Sequence, residues 1–146
     1  MVHINPEYLP KENRLQYLTM ICNNTKTPIY YSGGIKIVSE NTSDLVFKNI
    51  VKLDILSCVN IKTIMPDLRY ANSVFYIHDD ESEFDIGNLE KVDYFSCWVD
   101  IDEIKKSVKF VDKNTLIINK KKLIVNEKFS FNHDAISTEN YTKIKF

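Results

Sequence analysis

The spacing of apolar positions changes character along the chain. In the run from Pro10 to Cys22, Leu15, Leu18 and Ile21 share one helical face, Pro10 suits a first turn, and Asn23-Asn24 forms a stop. This predicts an amphipathic helix over 10–22. From Ile29 to about Ser39 the residues are β-branched and aromatic, interrupted by Gly33-Gly34, which predicts a hairpin or a bulged bend between short strands. Strand-like runs recur at Val51 to Leu56, Ser73 to Ile77, Lys91 to Phe95 and Val108 to Val111. Two further apolar runs flank a turn at Lys120 to Lys122 and predict a terminal hairpin over 113–126. Polar residues dominate from Glu127 onward, so 127–146 is expected to be a loosely held tail.

Two of the strand-like runs share a longer spacing. Ile50-x-x-Leu53-x-Ile55-x-x-Cys58 and Leu89-x-x-Val92-x-Tyr94-x-x-Cys97 match position for position, with a serine before each cysteine. Ile50 and Leu89 stand 39 positions apart, and a looser unit, Ala71-x-x-Val74-x-Tyr76-x-x-Asp79, falls between them. The implied period is near 19 or 20 residues. Gly34 to Ile37 and Ser107 to Phe110 could supply flanking units, giving a repeat-like region over 32–112. This pattern resembles the leucine-rich-repeat family, in which short strands with inward fourth and sixth positions stack, and an Asn or Cys at the ninth closes a turn. The resemblance implies an α/β architecture leaning all-β: a short solenoid of about four to five strand-turn units, with the helix capping one end, in a single domain spanning 1–146. Leu53, Ile55, Val92 and Tyr94 would point inward, with Cys58 and Cys97 stacked near one turn. The alternative is a compact α+β or all-β domain in which the matches arise by chance and both cysteines are small core residues.

Proteins of the leucine-rich-repeat family generally act as binding scaffolds, so the resemblance implies recognition through a strand-lined face. Its outward positions would be Lys52, Asp54 and Leu56, then Ser73, Phe75 and Ile77, then Lys91, Asp93 and Phe95. Leu56, Phe75, Ile77 and Phe95 would anchor a protein partner, while Lys52, Asp54, Lys91 and Asp93 would tune specificity. A non-enzymatic adaptor, inhibitor or immunity-type protein is expected. A structural or self-assembling viral component is the alternative, with the same stripe buried against another copy. A small metal-dependent nuclease or hydrolase is a second alternative, drawing on His78 with Asp79 or Asp80 as an acid/base set.

Composition narrows these choices. Of 146 residues 44% are hydrophobic and 27% charged, the balance of a folded globular chain. Nineteen basic and twenty acidic side chains leave a net charge of −1, so no long-range field favours nucleic acid or an anionic membrane. Arg14 and Arg69 are the only arginines, and the abundance of Ile, Asn and Lys suggests an AT-rich coding sequence of the kind common in viruses and phages. Neither a secretory leader nor a membrane-spanning apolar run is evident, which predicts a cytoplasmic protein. Three cysteines, Cys22, Cys58 and Cys97, lack CxxC spacing and are expected to be reduced and buried. The three histidines fall in no short catalytic or metal-binding motif, and no cofactor is expected. The acidic run from Asp79 to Asp85 is expected to be a solvated loop rather than a cation site, and Trp98 to pack across a turn or anchor a partner.

Overall fold

The computed structural model describes residues 1–37 and 45–146; the last of the residues assigned above to the bulged bend, Ser39, lies outside them. Nine strands among the described residues form one mixed sheet: β1 (Val2–Ile4), β2 (Ile29–Ile37), β3 (Ile50–Cys58), β4 (Tyr70–Ile77), β5 (Lys91–Trp98), β6 (Val108–Asp112), β7 (Thr115–Ile118), β8 (Lys121–Phe131) and β9 (Ile136–Ser137). Three α-helices among the described residues are interspersed: α1 (Arg14–Asn23), α2 (Ile61–Ile64) and α3 (Ile101–Ser107). The architecture shown is thus mostly β, a single sheet of order β1-β2-β3-β4-β5-β8-β7-β6 with β9 on β8, and no solenoid is shown.

Within this sheet β1 through β5 and β8 run parallel, each beside the next. Tyr30 pairs with Lys52, Lys52 with Tyr70, and Tyr70 with Lys91, so successive strands recur after 22, 18 and 21 residues. The segments around Val51 to Leu56 and Lys91 to Phe95 accordingly lie parallel in one sheet with β4 between them. The sheet ends in antiparallel pairings, β8 with β7 and β7 with β6. Val108 to Val111 therefore does not continue the parallel series; the strand after β5 is β8.

The register sets the side-chain rows. Ile35, Leu56, Val74, Phe95 and Phe129 form one buried row, and Ile37, Cys58, Tyr76, Cys97 and Phe131 the next. Tyr31, Leu53, Ala71, Val92 and Val125 form a third. The shared inward frame is therefore Leu53-x-x-Leu56-x-Cys58, Ala71-x-x-Val74-x-Tyr76 and Val92-x-x-Phe95-x-Cys97. This corrects the sequence expectation. Leu53 and Val92 do face the core, but Ile55 is 56% and Tyr94 50% exposed, while Leu56 and Phe95 are fully buried. Moving the pairing of a strand by one residue turns its side chains to the other face, so the error inverts the roles of neighbouring apolar residues. Cys58 is the last residue of β3 and Cys97 the last but one of β5, so both lie where the chain leaves its strand, with Tyr76 between them in the row. Burial of these free thiols pushes Cys58 up to about 12 and Cys22 to about 11, which suits inert core packing.

The connections bury their apolar residues against the same rows: Leu18 and Cys22 of α1, Ile61 and Ile64 of α2, and Ile104 of α3 join one hydrophobic core with them. Helix α1 begins later than the Pro10 start implied, after Asn13 in a left-handed conformation, and Leu15 and Ile21 flank the core as partly buried residues. It connects the parallel strands β1 and β2 at one end of the sheet, and the three-residue β1 shields the edge of β2. A short edge strand of this kind limits the backbone left open to another chain. The Gly33-Gly34 pair sits in a bulge within the single strand β2, where Tyr31 pairs with Leu53 but Gly34 with Ile55. A Cβ on Gly33 would collide with the Pro6 ring.

The terminal hairpin is present as β7 and β8, closed by Asn119-Lys120, both at positive φ, one position before the expected turn. The loosely held tail is not. Strand β8 continues through Phe131, Phe129 and Phe131 are fully buried, and Ile136 and Ser137 pair back onto β8 as β9. Polar residues at 127, 128 and 130 alternate with these aromatics, which is the pattern of a half-buried strand.

Candidate functional site

A parallel sheet normally carries covering elements on both faces. Here the helices pack with the inward rows, while the alternate side chains of β3, β4 and β5 remain accessible. On this open face Ile55, Tyr70, Phe75, Tyr94 and Trp98 are each 40–56% exposed. They spread over three adjacent strands, about 5 Å apart, and so belong to one surface rather than to scattered positions.

Polar residues cross the same face in register. Lys52, Tyr70 and Lys91 form one row. Asp54, Asn72 and Asp93 follow one step along β3, β4 and β5, and Asn126 of β8 donates to the Asp93 carboxylate at 2.8 Å. The Tyr30 hydroxyl donates to Asp54 at 2.6 Å, and that hydrogen bond to a carboxylate raises the phenol above its ordinary pKa. The Lys52 ammonium sits 4.7 Å from the centroid of the Tyr30 ring. Lys52 and Asp54 are thereby both engaged by Tyr30, which turns the charged end of the face into a fixed array.

Of the eight residues expected to contact a partner, Lys52, Asp54, Phe75, Lys91 and Asp93 lie on this face with exposed or half-exposed side chains, and Ile77 is half-buried at its end. Leu56 and Phe95 do not belong to it, because they fill the core. Ile55 and Tyr94, one position earlier in each strand, take their places. Sequence reasoning also passed over Tyr70, whose signal was its position just ahead of the Ala71 unit.

At the end of β5, Trp98 is 46% exposed and its ring packs on His133, with centroids 4.5 Å apart. Phe75, Ser96, Cys97, Trp98, Ser130, His133 and Asp134 line a slot of about 170 Å³. Asn132, His133 and Asp134 all have positive φ, at 55°, 54° and 68°. Such conformations cost an L-residue on the order of 1–2 kcal/mol each, least for Asn and Asp. Two bonds hold the loop in place: the Asn132 N–H donates to the Cys97 carbonyl at 2.8 Å, and the Val99 N–H donates to the Asn132 side-chain oxygen at 2.9 Å.

The acidic run serves a different purpose from the expected solvated loop at one of its members. Asp85 is buried, accepts from Lys121 Nζ at 2.6 Å and from the Gly87 N–H at 2.7 Å, and has Lys62 Nζ at 3.7 Å. Burial alone would raise its pKa, but the Lys121 hydrogen bond, the Gly87 N–H and the two ammonium charges outweigh that and hold the carboxyl below its ordinary range. A carboxylate with a depressed folded pKa stabilises the fold above its unfolded pKa, near 3.9, and this contribution disappears as pH falls through the lower folded value. Asp85→Ala is therefore expected to cost about 1–3 kcal/mol at pH 7, with the gap from wild type narrowing below about pH 4. Urea unfolding at pH 7, 5 and 3 checks this, and a gap independent of pH would contradict the ionic role.

His78 packs at 5.0 Å from Phe84, and its Nδ1 lies 3.3 Å from the Tyr76 hydroxyl. Asp79 binds within its own turn, accepting from the Glu81 N–H and, through its carbonyl, from Ser82. Asp80 joins His78 in lining a separate cavity of about 610 Å³, which Asp100, Asp102 and Glu103 approach from the other side. Among the described residues no group of three or more His, Cys, Asp or Glu is arranged to hold a metal ion, and no helix is long and apolar enough to cross a membrane.

No protein-family model, curated protein or solved structure matches this chain. Its class rests on geometry: a mostly β protein built on one mixed sheet, with an aromatic-rich parallel face that the described residues leave exposed.

Proposed function

We propose that the chain is a non-enzymatic protein-binding scaffold that uses the open face of β3, β4 and β5. The observation that carries this reading is the set of five large apolar side chains, Ile55, Tyr70, Phe75, Tyr94 and Trp98, left 40–56% exposed on one side of a parallel sheet. Contiguous exposed apolar surface rimmed by polar groups is characteristic of interaction sites, and aromatic residues dominate interface energies. Lys52, Asp54, Lys91 and Asp93 supply a charged border for discrimination between partners. The in-register strands and steps of 18 to 22 residues support a relationship to leucine-rich-repeat units in the frame Leu53-x-x-Leu56-x-Cys58. An adaptor, inhibitor or immunity-type role in a reducing, cytoplasmic setting fits this surface and the three buried thiols.

The test combines solution mass with partner capture, followed by affinity measurement on the purified pair. Wild-type protein is expected to be monomeric alone and to bind one partner. Tyr94→Ala should weaken that complex by about 2 kcal/mol or more, near 30-fold, with the melting temperature unchanged. A stable homo-oligomer whose assembly requires Tyr94 and Phe75 would replace the scaffold reading with self-assembly.

A further inference from the structure

The slot at the end of β5 is a concave part of the open face with a rigid frame and two aromatic walls, Phe75 and Trp98. We infer that it is an arginine-accepting subsite: a protein partner that docks on the open face inserts one guanidinium against Trp98, between Ser96, Ser130 and Asp134. This inference rests on the scaffold reading and specifies the partner's chemistry.

Three observations carry it. First, Trp98 and Phe75 present exposed aromatic surface at the slot, and indole is the strongest aromatic acceptor for a cation over its face. Second, the available polar groups are dominated by acceptors. The Ser96 and Ser130 hydroxyls lie 3.1 Å apart, so one O–H is spent between them while both oxygens keep lone pairs to accept with, and Asp134 adds a carboxylate. Among the described residues no lysine or arginine lines the slot, so an incoming anion would meet the Asp134 carboxylate first. A guanidinium carries five N–H donors and no acceptor, which complements this set, and its planarity lets it stack on a ring while donating in its own plane. Lysine offers a point charge without the stacking plane. Third, the slot is preformed. His133 is held against Trp98 by three successive left-handed residues and by the two Asn132 bonds to the end of β5, so little ordering is left to binding. The Lys128 ammonium, 3.7 Å from Asp134, also contacts Glu139 at 3.5 Å, so the carboxylates still outnumber the cation beside the slot.

The test selects peptides from a random display library on immobilised full-length protein, then synthesises a selected sequence free of tryptophan. Trp98 is the only tryptophan in the chain, so its fluorescence reports occupancy of the slot in the wild type, and titration calorimetry measures binding to every variant, those without Trp98 included. Selected peptides are expected to share an arginine. Replacing that arginine by citrulline, which keeps the shape and removes the charge, should weaken binding about tenfold. Trp98→Leu should weaken it comparably, Trp98→Phe less, and Asp134→Asn several-fold, all with unchanged melting. Peptides without a common arginine, equal binding of the citrulline form, or indifference to Trp98→Leu would each overturn the inference. If binding were lost in Tyr94→Ala but unaffected by citrulline and by Trp98→Leu, the slot assignment would fall while the scaffold reading stood. If no selected peptide depended on Tyr94 or Trp98, both would fall.

Discussion

A chain ending at Asn126 is expected to be unfolded at 25 °C, although the residues removed are those that composition marks as a polar tail. The deletion takes away the second half of β8, with Phe129 and Phe131, and all of β9. Phe129 lies beside Phe95 and Phe131 beside Cys97 in the parallel pairing, so two buried rows lose their final members and the end of β5 loses its hydrogen-bonding neighbour. Phe110, which packs on both Phe129 and Phe131, would lose its partners as well. Truncating one buried phenylalanine to alanine costs about 3–5 kcal/mol, and a domain of this size is stable by about 5–15 kcal/mol. Two such losses with a stripped strand edge consume most or all of that margin. Circular dichroism with thermal melting decides the matter: a cooperative transition and a wild-type spectrum in the shortened chain would restore the dispensable tail.

Adjacent residues in β5 should behave oppositely. Phe95→Ala is expected to destabilise the protein by about 3–5 kcal/mol, while Tyr94→Ala changes stability by less than about 1 kcal/mol. Phe95 is fully buried between Val74 and Phe129, with its ring edge-on to Phe131 at 5.9 Å, and its removal leaves a cavity that the two neighbouring strands, β4 and β8, cannot collapse around. Tyr94 is half exposed on the open face between Ser73 and Lys128. Urea denaturation of the two variants measures the difference. The reverse order would mean that Ile55 and Tyr94, not Leu56 and Phe95, form the inward row. Phe95 is therefore unsuitable as a probe of partner binding, since its loss weakens the fold and so confounds any effect on the face.

Much of this structure was legible from spacing alone. The strand runs at Val51, Ser73 and Lys91, the recurrence near 20 residues, the β-rich character and the hairpin beyond residue 113 all follow from local periodicity and turn-forming residues, which act over a few positions. The charged half of the candidate face was legible as well, because Lys52, Asp54, Lys91 and Asp93 sit among apolar neighbours and avoid the core. What spacing could not decide was which of two adjacent apolar residues turns inward. Asp54-Ile55-Leu56 and Asp93-Tyr94-Phe95 each satisfy two frames, and the template L-x-x-L-x-L matched the wrong one in both units while matching the right one at Ala71, Val74 and Tyr76. Pairing resolved it: Val74 lies between Leu56 and Phe95, and a strand flanked on both sides must share its neighbours' pleat. The same non-local logic recruits residues 127–131 into the core and lets β8, 33 positions after β5 by the pairing of Lys91 with Ile124, take the place that the sequence offered to Val108 to Val111. It also brings His133 against Trp98 and Lys121 onto Asp85, contacts between residues 35 and 36 positions apart. The sequence by itself determined where the chain extends and turns; only the tertiary structure decided which strands adjoin, because hydrogen-bonded pairing and burial are satisfied by partners distant in the chain, and that choice sets which face of every strand meets water.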